Sequence, residues 1–504
     1  MAPDAILALD VGTSSAKALV VSLDDGRVLG RAGVPVALTV TGPGCVEQDP
    51  VELAEATLAA AVAAVRASGE AQVVGVAIAN QRESVVMWDR SSGEPVGPVL
   101  SWQDSRTAES LSDWSEGDRA RVRELTGLTV DAMYSAPKMR WLLDEYDARG
   151  RDVVIGTVDS WIVHALTGNV AIEIANASRT LLLSLATGDW DTDLLDAFAI
   201  PRSVLPDVYS SDARFGVTRA GLPLPAGLPV CAVMADSHAA LFAYGAAGEA
   251  KATYGTGTSL MTRLPRLSTG APGVDTTIAW SHGRAPGNPG ATYAREGNIL
   301  ATGQAIDWTA SLIDRGACLA GGIVVSEAAA TVEDSAGVTL VPAFTGLGAP
   351  HWDRSAVAIL SGMTSQTSSA HLARAALECV AHQVVDVVDA LESDGQVRLD
   401  VLHVDGGVSS SDLLVQIQAD LLGRPVVRSR EPALSAVGVA RLGAETLGYR
   451  APELATDAPV SPQWDERRRR EARGRWREEV ARARFRDASG QVGDSTHHHH
   501  EEAP

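Results

Sequence analysis

Two short turns rich in Gly, Thr and Ser lie between apolar segments at similar points in the two halves of the chain. The first is in LALDVGTSSAKALVV (residues 7–21) and the second in KATYGTGTSLMTRL (residues 251–264). In each, a run typical of a β-strand enters the turn and a second such run leaves it. Turns of this composition can direct backbone N–H groups and hydroxyls into one concavity that binds phosphate. A single turn is equally well a plain hairpin, but the repetition favours a nucleotide held between two related domains.

The segments between the turns predict an α/β fold. Residues 401–423, VLHVDGGVSSSDLLVQIQADLLG, pass from an apolar run through Gly-Gly into an amphipathic helix. The Ala-rich, periodic segments Pro50 to Ser68 and His371 to Leu391 predict further helices.

The predicted domain boundary lies in GAAGEAK, residues 245–251, between an apolar run and the second strand-turn-strand. We therefore expect one domain over residues 1–248 and a second over 249–460. Residues 461–504 contain ERRRREARGRWREEVARAR, which predicts a solvated helix with i,i+4 ion pairs followed by a disordered tail. The His497–His500 run belongs to that tail.

Charge and cysteine content narrow the class of protein. The chain has 504 residues and 42 Lys+Arg against 63 Asp+Glu, a net charge of −21. That charge argues against a nucleic-acid partner and against an anionic membrane surface. The four cysteines lie far apart in the sequence, which favours reduced thiols, and no segment predicts a signal peptide or a membrane span. These are Cys45, Cys231, Cys318 and Cys379. The expected location is the cytoplasm.

Asp10 stands at the end of the strand before the first turn, beside the expected phosphate. A carboxylate in that position is reasonable if a cation such as Mg²⁺ lies between the two anions. Lys17, one of three lysines in the chain, could complete the charge balance. The sequence has no GxxxxGK[ST] loop, no GxGxxG after a strand and no kinase HRD…DFG set. The nucleotide hypothesis therefore requires a different fold.

Several separated motifs together resemble the FGGY carbohydrate kinases of the sugar kinase, actin and heat-shock chaperone superfamily. Besides the two turns they include MYSAPKMRWLLDE (residues 133–145) and SGMTSQTSSAHLARAALE (residues 361–378), which are similar to the family's two signatures. Within the family, NQRESVVMWD, SWQDSRT and VPAFTGLGAPHWD are most similar to glycerol kinase segments. The resemblance implies two actin-like (ribonuclease H-like) α/β domains with a nucleotide-binding cleft between them.

The resemblance also implies an acceptor site. Asp236, which follows the apolar run VCAVMA, matches the catalytic aspartate that accepts the hydroxyl proton, although Asp there is also a favoured helix N-cap. Arg82 and Glu83 match a pair that holds glycerol; without the resemblance they would be an ordinary surface pair. Trp102 matches a position that forms an apolar wall of the acceptor site. The alternative is an ordinary half-buried Trp. The full acceptor set is Arg82, Glu83, Trp102, Met133, Tyr134, Asp236 and Ser237.

Two positions depart from the glycerol kinase pattern. Met133 stands where the family has its substrate tyrosine, with Tyr134 one place later. Ser237 stands where Gln usually follows the catalytic aspartate. Because a site that hydrogen-bonds hydroxyls discriminates strongly, these changes keep a tetritol or a ketopentose open as alternatives to glycerol.

The nucleotide site implied by the resemblance comes from four segments. Asp307 replaces a usual Gln in it, and Ser411 stands where Asn is common. We expect Asp10 to orient Mg²⁺ through water. The expected ATP contacts are Thr13, Ser14, Ser15, Lys17, Thr256, Gly257, Gly303, Asp307, Gly407 and Ser411.

These features predict an ATP- and Mg²⁺-dependent kinase for a terminal hydroxyl of a small polyol or sugar, with glycerol as first choice. The expected assembly is a homodimer or homotetramer. Two other classes of protein are alternatives: a non-catalytic ATP-binding regulator on the same fold, and a chaperone-like or filament-forming ATPase. The presence of Asp236 argues against the regulator, which would lack the acidic base. The Arg82–Glu83 pair argues against the ATPase, because it favours a small acceptor.

Overall fold

The structure is a computed structural model that describes residues 2–244, 248–283, 290–313, 321–450 and 455–485. Cys318, part of the predicted boundary segment and the tail with His497–His500 lie outside these residues.

The described residues of the first half contain fifteen strands and seven helices. Its strands are β1 (Asp4–Val11), β2 (Ser15–Ser22), β3 (Val28–Pro35), β4 (Thr39–Gly42), β5 (Cys45–Gln48), β6 (Gln72–Asn80), β7 (Val85–Asp89), β8 (Val99–Leu100), β9 (Val153–Thr157), β10 (Ala171–Glu173), β11 (Leu183–Ser184), β12 (Asp189–Trp190), β13 (Asp207–Tyr209), β14 (Gly216–Val217) and β15 (Pro229–Ala235). Its helices are α1 (Pro50–Ala67), α2 (Glu116–Thr126), α3 (Ser135–Glu145), α4 (Val158–Thr167), α5 (Ile174–Ser178), α6 (Thr192–Phe198) and α7 (Asp236–Tyr244).

The described residues of the second half contain eight strands and six helices. The strands are β16 (Glu249–Tyr254), β17 (Thr258–Leu264), β18 (Asp275–Ser281), β19 (Ala291–Ile299), β20 (Thr339–Val341), β21 (Ile359–Ser361), β22 (Val401–Asp405) and β23 (Val426–Arg428). The helices are α8 (Gly303–Ile313), α9 (Gly321–Ala329), α10 (Ser369–Glu392), α11 (Asp412–Leu422), α12 (Leu434–Thr446) and α13 (Glu466–Arg484).

Each half is built on a six-stranded sheet, and the two sheets share a five-stranded core, with the sixth strand added at opposite edges: β14 beside β15 in the first and β18 beside β19 in the second. The first has the order β14-β15-β6-β1-β2-β3 and the second β18-β19-β17-β16-β22-β23. In the first sheet β1, β2 and β3 are antiparallel neighbours, while β1, β6 and β15 are parallel. In the second, β16, β17 and β19 are antiparallel, while β16, β22 and β23 are parallel. The predicted pair of actin-like α/β domains is confirmed.

Local sequence accounts for the main elements. The predicted helix from Pro50 is α1, where Asp49 caps two backbone N–H groups and Pro occupies the first turn. The predicted helix at 371–391 lies within α10. The central strand β1 is buried on both faces from Ala5 to Val11, as is usual for strands of an α/β sheet that helices cover on both sides.

Helix α12 belongs to the predicted second domain in sequence but packs on the first sheet. Its apolar residues, among them Ala436 and Val439, share a core with Ile6, Ala8 and Met234. It therefore covers one face of the first sheet and ties the two halves together.

The Arg-rich segment forms α13, with i,i+4 ion pairs such as Arg467–Glu471. It is less solvated than the composition suggests, because a second face is apolar and packs into the core of the second domain. That face consists of Ala472, Trp476, Val480 and Ala483. None of the described helices combines the length and apolar character that crossing a bilayer requires.

Candidate active site

Asp236 lies where β15 ends and α7 begins, at the edge of the first sheet. Its Oδ1 accepts from the backbone N–H of Ser237 at 2.5 Å, and its side chain is 34% exposed, the most open carboxylate in this cluster. Burial of its surroundings raises the pKa of Asp236, while the nearby Arg82 and Lys251 oppose that shift. The carboxylate therefore sits at a helix start and also faces the open part of the cleft.

Arg82 and Glu83 follow β6, the strand next to β15; Glu83 is buried and the Arg82 side chain is 10% exposed. Glu83 has a φ of 60°, a left-handed conformation that costs a non-Gly residue strain energy. This turn ends the strand alternation, so both side chains point into the same region. Arg82 Nε lies 3.5 Å from Asp236 Oδ1, and Arg82 Nη1 lies 2.6 Å from Glu296 Oε1. The alternative of an exposed surface pair does not apply here.

Arg179 and Glu296 complete a buried network that sequence reasoning did not identify. Arg179 Nε donates to Glu83 Oε1 at 2.6 Å, and Arg179 Nη1 lies 2.7 Å from Glu296 Oε2. Both side chains are fully buried. Because Glu296 comes from β19 and the two arginines from the first half, the network joins the two domains directly behind Asp236.

Mutual charge keeps this network ionised. Burial by itself would raise the pKa of Glu296, but Arg179 and Arg82 hold it well below its usual range. Burial would likewise lower the pKa of Arg179, but Glu296 and Glu83 hold it well above the usual value. His238 is also buried here, and burial together with Arg82 lowers its pKa well below the usual value. At neutral pH Arg82 and Arg179 are thus cations, Glu296 is an anion and His238 is a neutral imidazole.

Trp102 links the acceptor region to the first turn. Its indole Nε1 donates to Thr13 Oγ1 at 3.0 Å, and its backbone N–H donates to Ser84 Oγ at 3.0 Å. Thr13 in turn contacts Gln81, whose amide also bonds Gln48 at 2.9 Å. The polar contacts fix the indole beside the turn, so its face can serve as an apolar wall of the cleft.

The two predicted residues at the start of α3 have different surroundings. Met133 is half-buried, whereas Tyr134 is fully buried and its hydroxyl donates to Asp275 Oδ2 at 2.6 Å. The Arg179 guanidinium stacks over the Tyr134 ring at 5.2 Å. The structure therefore differs from the expectation that Tyr134 contacts the acceptor, because its hydroxyl is engaged and its ring lies behind Arg179.

Lys138 on α3 is another functional candidate that the sequence did not indicate. Its Nζ donates to the carbonyls of Ser101 and Met133 at 3.1 and 2.6 Å, which joins the segments that carry Trp102 and Met133. Burial lowers its pKa to about 7, against the opposing influence of Glu83. We infer that it shapes the acceptor site by tying these two segments together.

Asp10 ends β1 beside the first turn. Burial raises the pKa of Asp10 to about 6; Lys17 opposes the shift and Asp236 adds to it. The Lys17 Nζ lies 3.8 Å from Asp10 Oδ2 and the lysine side chain is half exposed. Among the described residues no group of three or more His, Cys, Asp and Glu forms a metal site. A single buried carboxylate with a raised pKa fits Mg²⁺ that is otherwise held by phosphate oxygens and water.

The second turn contacts the start of α8 and the Gly-Gly segment without room for side chains. A Cβ on Gly257 would lie 2.4 Å from the Ile299 carbonyl, and one on Gly303 would lie 2.7 Å from the Gly255 carbonyl. Gly406 has a φ of 90°, and a Cβ there would lie 2.4 Å from the Tyr254 carbonyl. The structure thus brings together three of the four segments predicted to bind ATP.

The remaining predicted nucleotide residues lie around this junction. Thr256 is exposed, and its carbonyl accepts from Thr302 N–H at 2.9 Å. Asp307 is exposed one turn into α8, and Gly407 is exposed with open space around it. Ser411 caps α11, its Oγ accepting from Leu414 N–H at 3.2 Å. Ser14 is exposed and Ser15 half-buried in the first turn.

Lys251 connects the two turns electrostatically. It is buried in β16, its Nζ donates to Thr253 Oγ1 at 2.8 Å, and it lies near both Asp405 and Asp236. Burial lowers the pKa of Lys251, while Asp405 opposes the shift. Asp236 consequently stands between Asp10 of the first domain and Lys251 of the second.

Sequence comparison identifies both halves. Residues 5–243 match the N-terminal domain of the FGGY family of carbohydrate kinases, and residues 250–447 match its C-terminal domain. The chain belongs to the FGGY family. It is a carbohydrate kinase, an enzyme that transfers a phosphoryl group to an alcohol.

Curated relatives of this FGGY kinase match almost end to end. An apulose kinase of Pectobacterium atrosepticum is 40% identical over 95% of this chain and 98% of that protein. A glycerol kinase of Citrifermentans bemidjiense is 42% identical over 94% of this chain and 97% of that protein.

Solved structures show the same fold. The Plasmodium falciparum glycerol kinase with ADP superposes with a TM-score of 0.87 at 27% identity, covering 96% of this chain and 99% of that one. The xylulose kinase of Rhodospirillum rubrum superposes with a TM-score of 0.81 at 25% identity, covering 95% and 98% of the two chains.

Proposed function

We propose that this FGGY kinase transfers the γ-phosphoryl group of ATP to a terminal hydroxyl of a small polyol or sugar, with glycerol as the first candidate. The observation that supports it best is the position of Asp236. Its carboxylate faces the cleft, is oriented by the Ser237 N–H, and lies 3.5 Å from the Arg82 guanidinium.

In this proposal Asp236 accepts the proton of the attacking hydroxyl, and Arg82 and Glu83 hold the other hydroxyls of the acceptor. Trp102 provides an apolar face for the carbon chain and Ser237 a further polar contact, while Met133 limits the pocket. Tyr134 supports Arg179 from behind. Orientation of the acceptor and neutralisation of charge supply most of the rate enhancement, because phosphoryl transfer needs little covalent help.

ATP supplies the phosphoryl group and Mg²⁺ neutralises its charge. The residues present fit both: Thr13, Ser14, Ser15 and Lys17 surround the first turn, and Thr256 and Gly257 form the second. Gly303, Asp307, Gly407 and Ser411 would border the ribose and adenine, and Asp10 would hold the metal through water. The support is the close packing of bare glycine backbone at Gly257 and Gly303 and the raised pKa of Asp10.

A tetritol or ketopentose is the second candidate acceptor. It is favoured by the two departures from the glycerol kinase pattern, Met133 and Ser237, and by the 40% identity to an apulose kinase. Losing two polar contacts to glycerol would weaken the selection for a three-carbon acceptor.

An acceptor screen tests the proposal. Purified enzyme with MgATP is incubated with glycerol, erythritol, threitol, xylitol, dihydroxyacetone, xylulose, ribulose or gluconate, and the phosphate ester is identified by ³¹P NMR. We expect the highest kcat/KM with glycerol. A phosphate ester from ketoses alone would contradict the polyol assignment, and ADP without any ester would contradict acceptor kinase activity with these compounds.

We further propose a cytoplasmic enzyme that assembles as a homodimer or homotetramer. The described cysteines Cys45, Cys231 and Cys379 are free thiols, which fits a reducing compartment. Sedimentation velocity on the purified protein would measure the assembly, and a purely monomeric boundary would contradict that part of the proposal.

A further inference from the structure

A cavity of about 360 Å³ lies in the second domain, between α10, α13 and the segment 334–340. None of the residues placed in the active site lines it. Its volume is in the range of small-molecule sites, about 300–1,000 Å³. The walls combine apolar and charged groups. They include Leu340, His382, Trp464, Arg468, Arg475 and Trp476.

Two arginines of this cavity lack the partners that the other arginines of α13 have. The helix contains nine arginines, and seven of them contact a carboxylate or a backbone carbonyl. Within the part of the chain that the structure describes, the guanidinium groups of Arg468 and Arg475 have neither kind of contact. The backbone N–H of Arg468 donates to Asp465 Oδ1 at 2.7 Å, but its guanidinium only stacks over the Trp464 ring, at 4.4 Å. The spacing of seven residues, two helical turns, puts both guanidinium groups on one face of α13.

His382 supplies an independent polar group to the same cavity. It is 8% exposed, and its Nδ1 has no hydrogen-bond partner among the described residues. Its ring stacks on Trp476 with 5.1 Å between centroids and an interplanar angle of 5°, which fixes its orientation. A buried polar atom without a partner is costly, and bound ligands commonly satisfy such atoms.

The acidic residues of the cavity are already engaged. Glu378 accepts from Arg374 Nε at 2.9 Å, and Asp334 accepts from the backbone N–H of Ala336 at 2.8 Å. The free hydrogen-bonding capacity of the cavity is therefore mainly that of donors. Two guanidinium groups and an imidazole next to an indole wall match an oxyanion attached to a small organic group.

We infer that this cavity is a binding site for a phosphate monoester, separate from the active site. Arg468 and Arg475 would bind the phosphate oxygens, and His382 Nδ1 would donate to one of them. Trp464 and Leu340 would contact the organic part. The inference does not depend on which acceptor the kinase uses.

The test is isothermal titration of phenyl phosphate into the full chain, comparing wild type with R468Q/R475Q. The matched control is R467Q/R470Q, which removes the same charge from the same helix, at arginines paired with Glu471 and Glu466. We expect at least about tenfold weaker binding in R468Q/R475Q and an unchanged Kd in the control. Any phenyl phosphate bound at the ATP site is common to all three proteins, so the difference reports the cavity.

A second variant keeps the test decisive if the double variant does not fold. R475Q alone removes a side chain with no acceptor contact in the described structure, and it should weaken binding about fivefold. Equal Kd values for wild type, R475Q and R468Q/R475Q would overturn the inference. So would the absence of binding heat in wild type up to about 10 mM phenyl phosphate.

Discussion

At the scale of single residues, the site is organised around carboxylates whose surroundings push their pKa values in opposite directions. Glu296 lies between two arginines and stays ionised far into the acidic range. Asp236 and Asp10 are held at raised pKa values because burial outweighs the nearby cations. Divergent pKa values in one cleft are typical of groups with distinct catalytic tasks.

This difference predicts an acid limb in the pH profile of kcat/KM. Asp236 must be ionised to accept a proton and Asp10 to hold the metal, and protonation of a group with a raised pKa begins at a higher pH than usual. We expect kcat/KM to be constant above about pH 7 and to fall as the pH drops through about 6, the pKa of Asp10. Initial rates between pH 5 and pH 8 would measure it, at Mg²⁺ well below saturation, because bound Mg²⁺ opposes protonation of Asp10.

Lys17→Met provides the companion measurement. Lys17 lowers the pKa of Asp10, so its removal should move the acid limb to higher pH, in addition to any rise in KM for ATP. If the acid limb stays near pH 4 in both proteins, then neither Asp10 nor Asp236, the two carboxylates with a raised pKa, controls the rate.

At the scale of elements, the strands and long helices follow from local sequence, and the close contacts between them do not. The N-cap of α1 and the periodic apolar residues of that helix lie next to each other in the sequence. The two turns can be recognised from their Gly, Thr and Ser content. Arg179 and Glu296 gave no comparable signal, and Tyr134 was expected to contact the acceptor rather than to lie behind Arg179, because the roles of all three depend on how separate segments meet. Each of these buried polar groups has its partner on another element: the Tyr134 hydroxyl donates to Asp275, and Arg179 pairs with Glu296.

The crossing of α7 and α12 is one such contact, and it positions the helix that begins at Asp236. A Cβ on Gly438 of α12 would lie 1.8 Å from the Ala239 carbonyl of α7. Gly438→Ala should therefore separate the helices and lower the free energy of unfolding by on the order of 3 kcal/mol. Urea denaturation followed by circular dichroism would measure the change.

Gly474→Ala in α13 is the matched control, because a Cβ there meets nothing within 4 Å. Alanine is the better helix former, so this variant should be more stable by about 0.5–1 kcal/mol. Equal stability changes in the two variants would contradict the close crossing of α7 and α12.

At the scale of the whole molecule, the buried network beside the proposed acceptor site belongs to neither domain alone. The two arginines of the buried network come from the first domain and Glu296 from the second. The same buried ion pairs thus line the cleft and connect the two domains. Domain closure around substrates would exclude water from the phosphoryl transfer.

Glu296→Gln tests this coupling. Removing one anion leaves two buried guanidinium groups with insufficient negative charge, which should lower the free energy of unfolding by about 3 kcal/mol or more. Glu471→Gln, which breaks the exposed pair with Arg467, should cost less than about 1 kcal/mol. Urea denaturation of both variants provides the comparison, and equally small losses would argue against a structural role for the network.

We propose above all that Asp236 is the base of an acceptor-dependent kinase. The most direct measurement is ADP release by wild type and Asp236→Asn, each with MgATP, with and without the best acceptor of the screen. We predict strong acceptor dependence in wild type and a kcat at least about 10²-fold lower in Asp236→Asn, with ATP binding retained. Turnover by Asp236→Asn within a few-fold of wild type, or ADP release in wild type that ignores the acceptor, would contradict it.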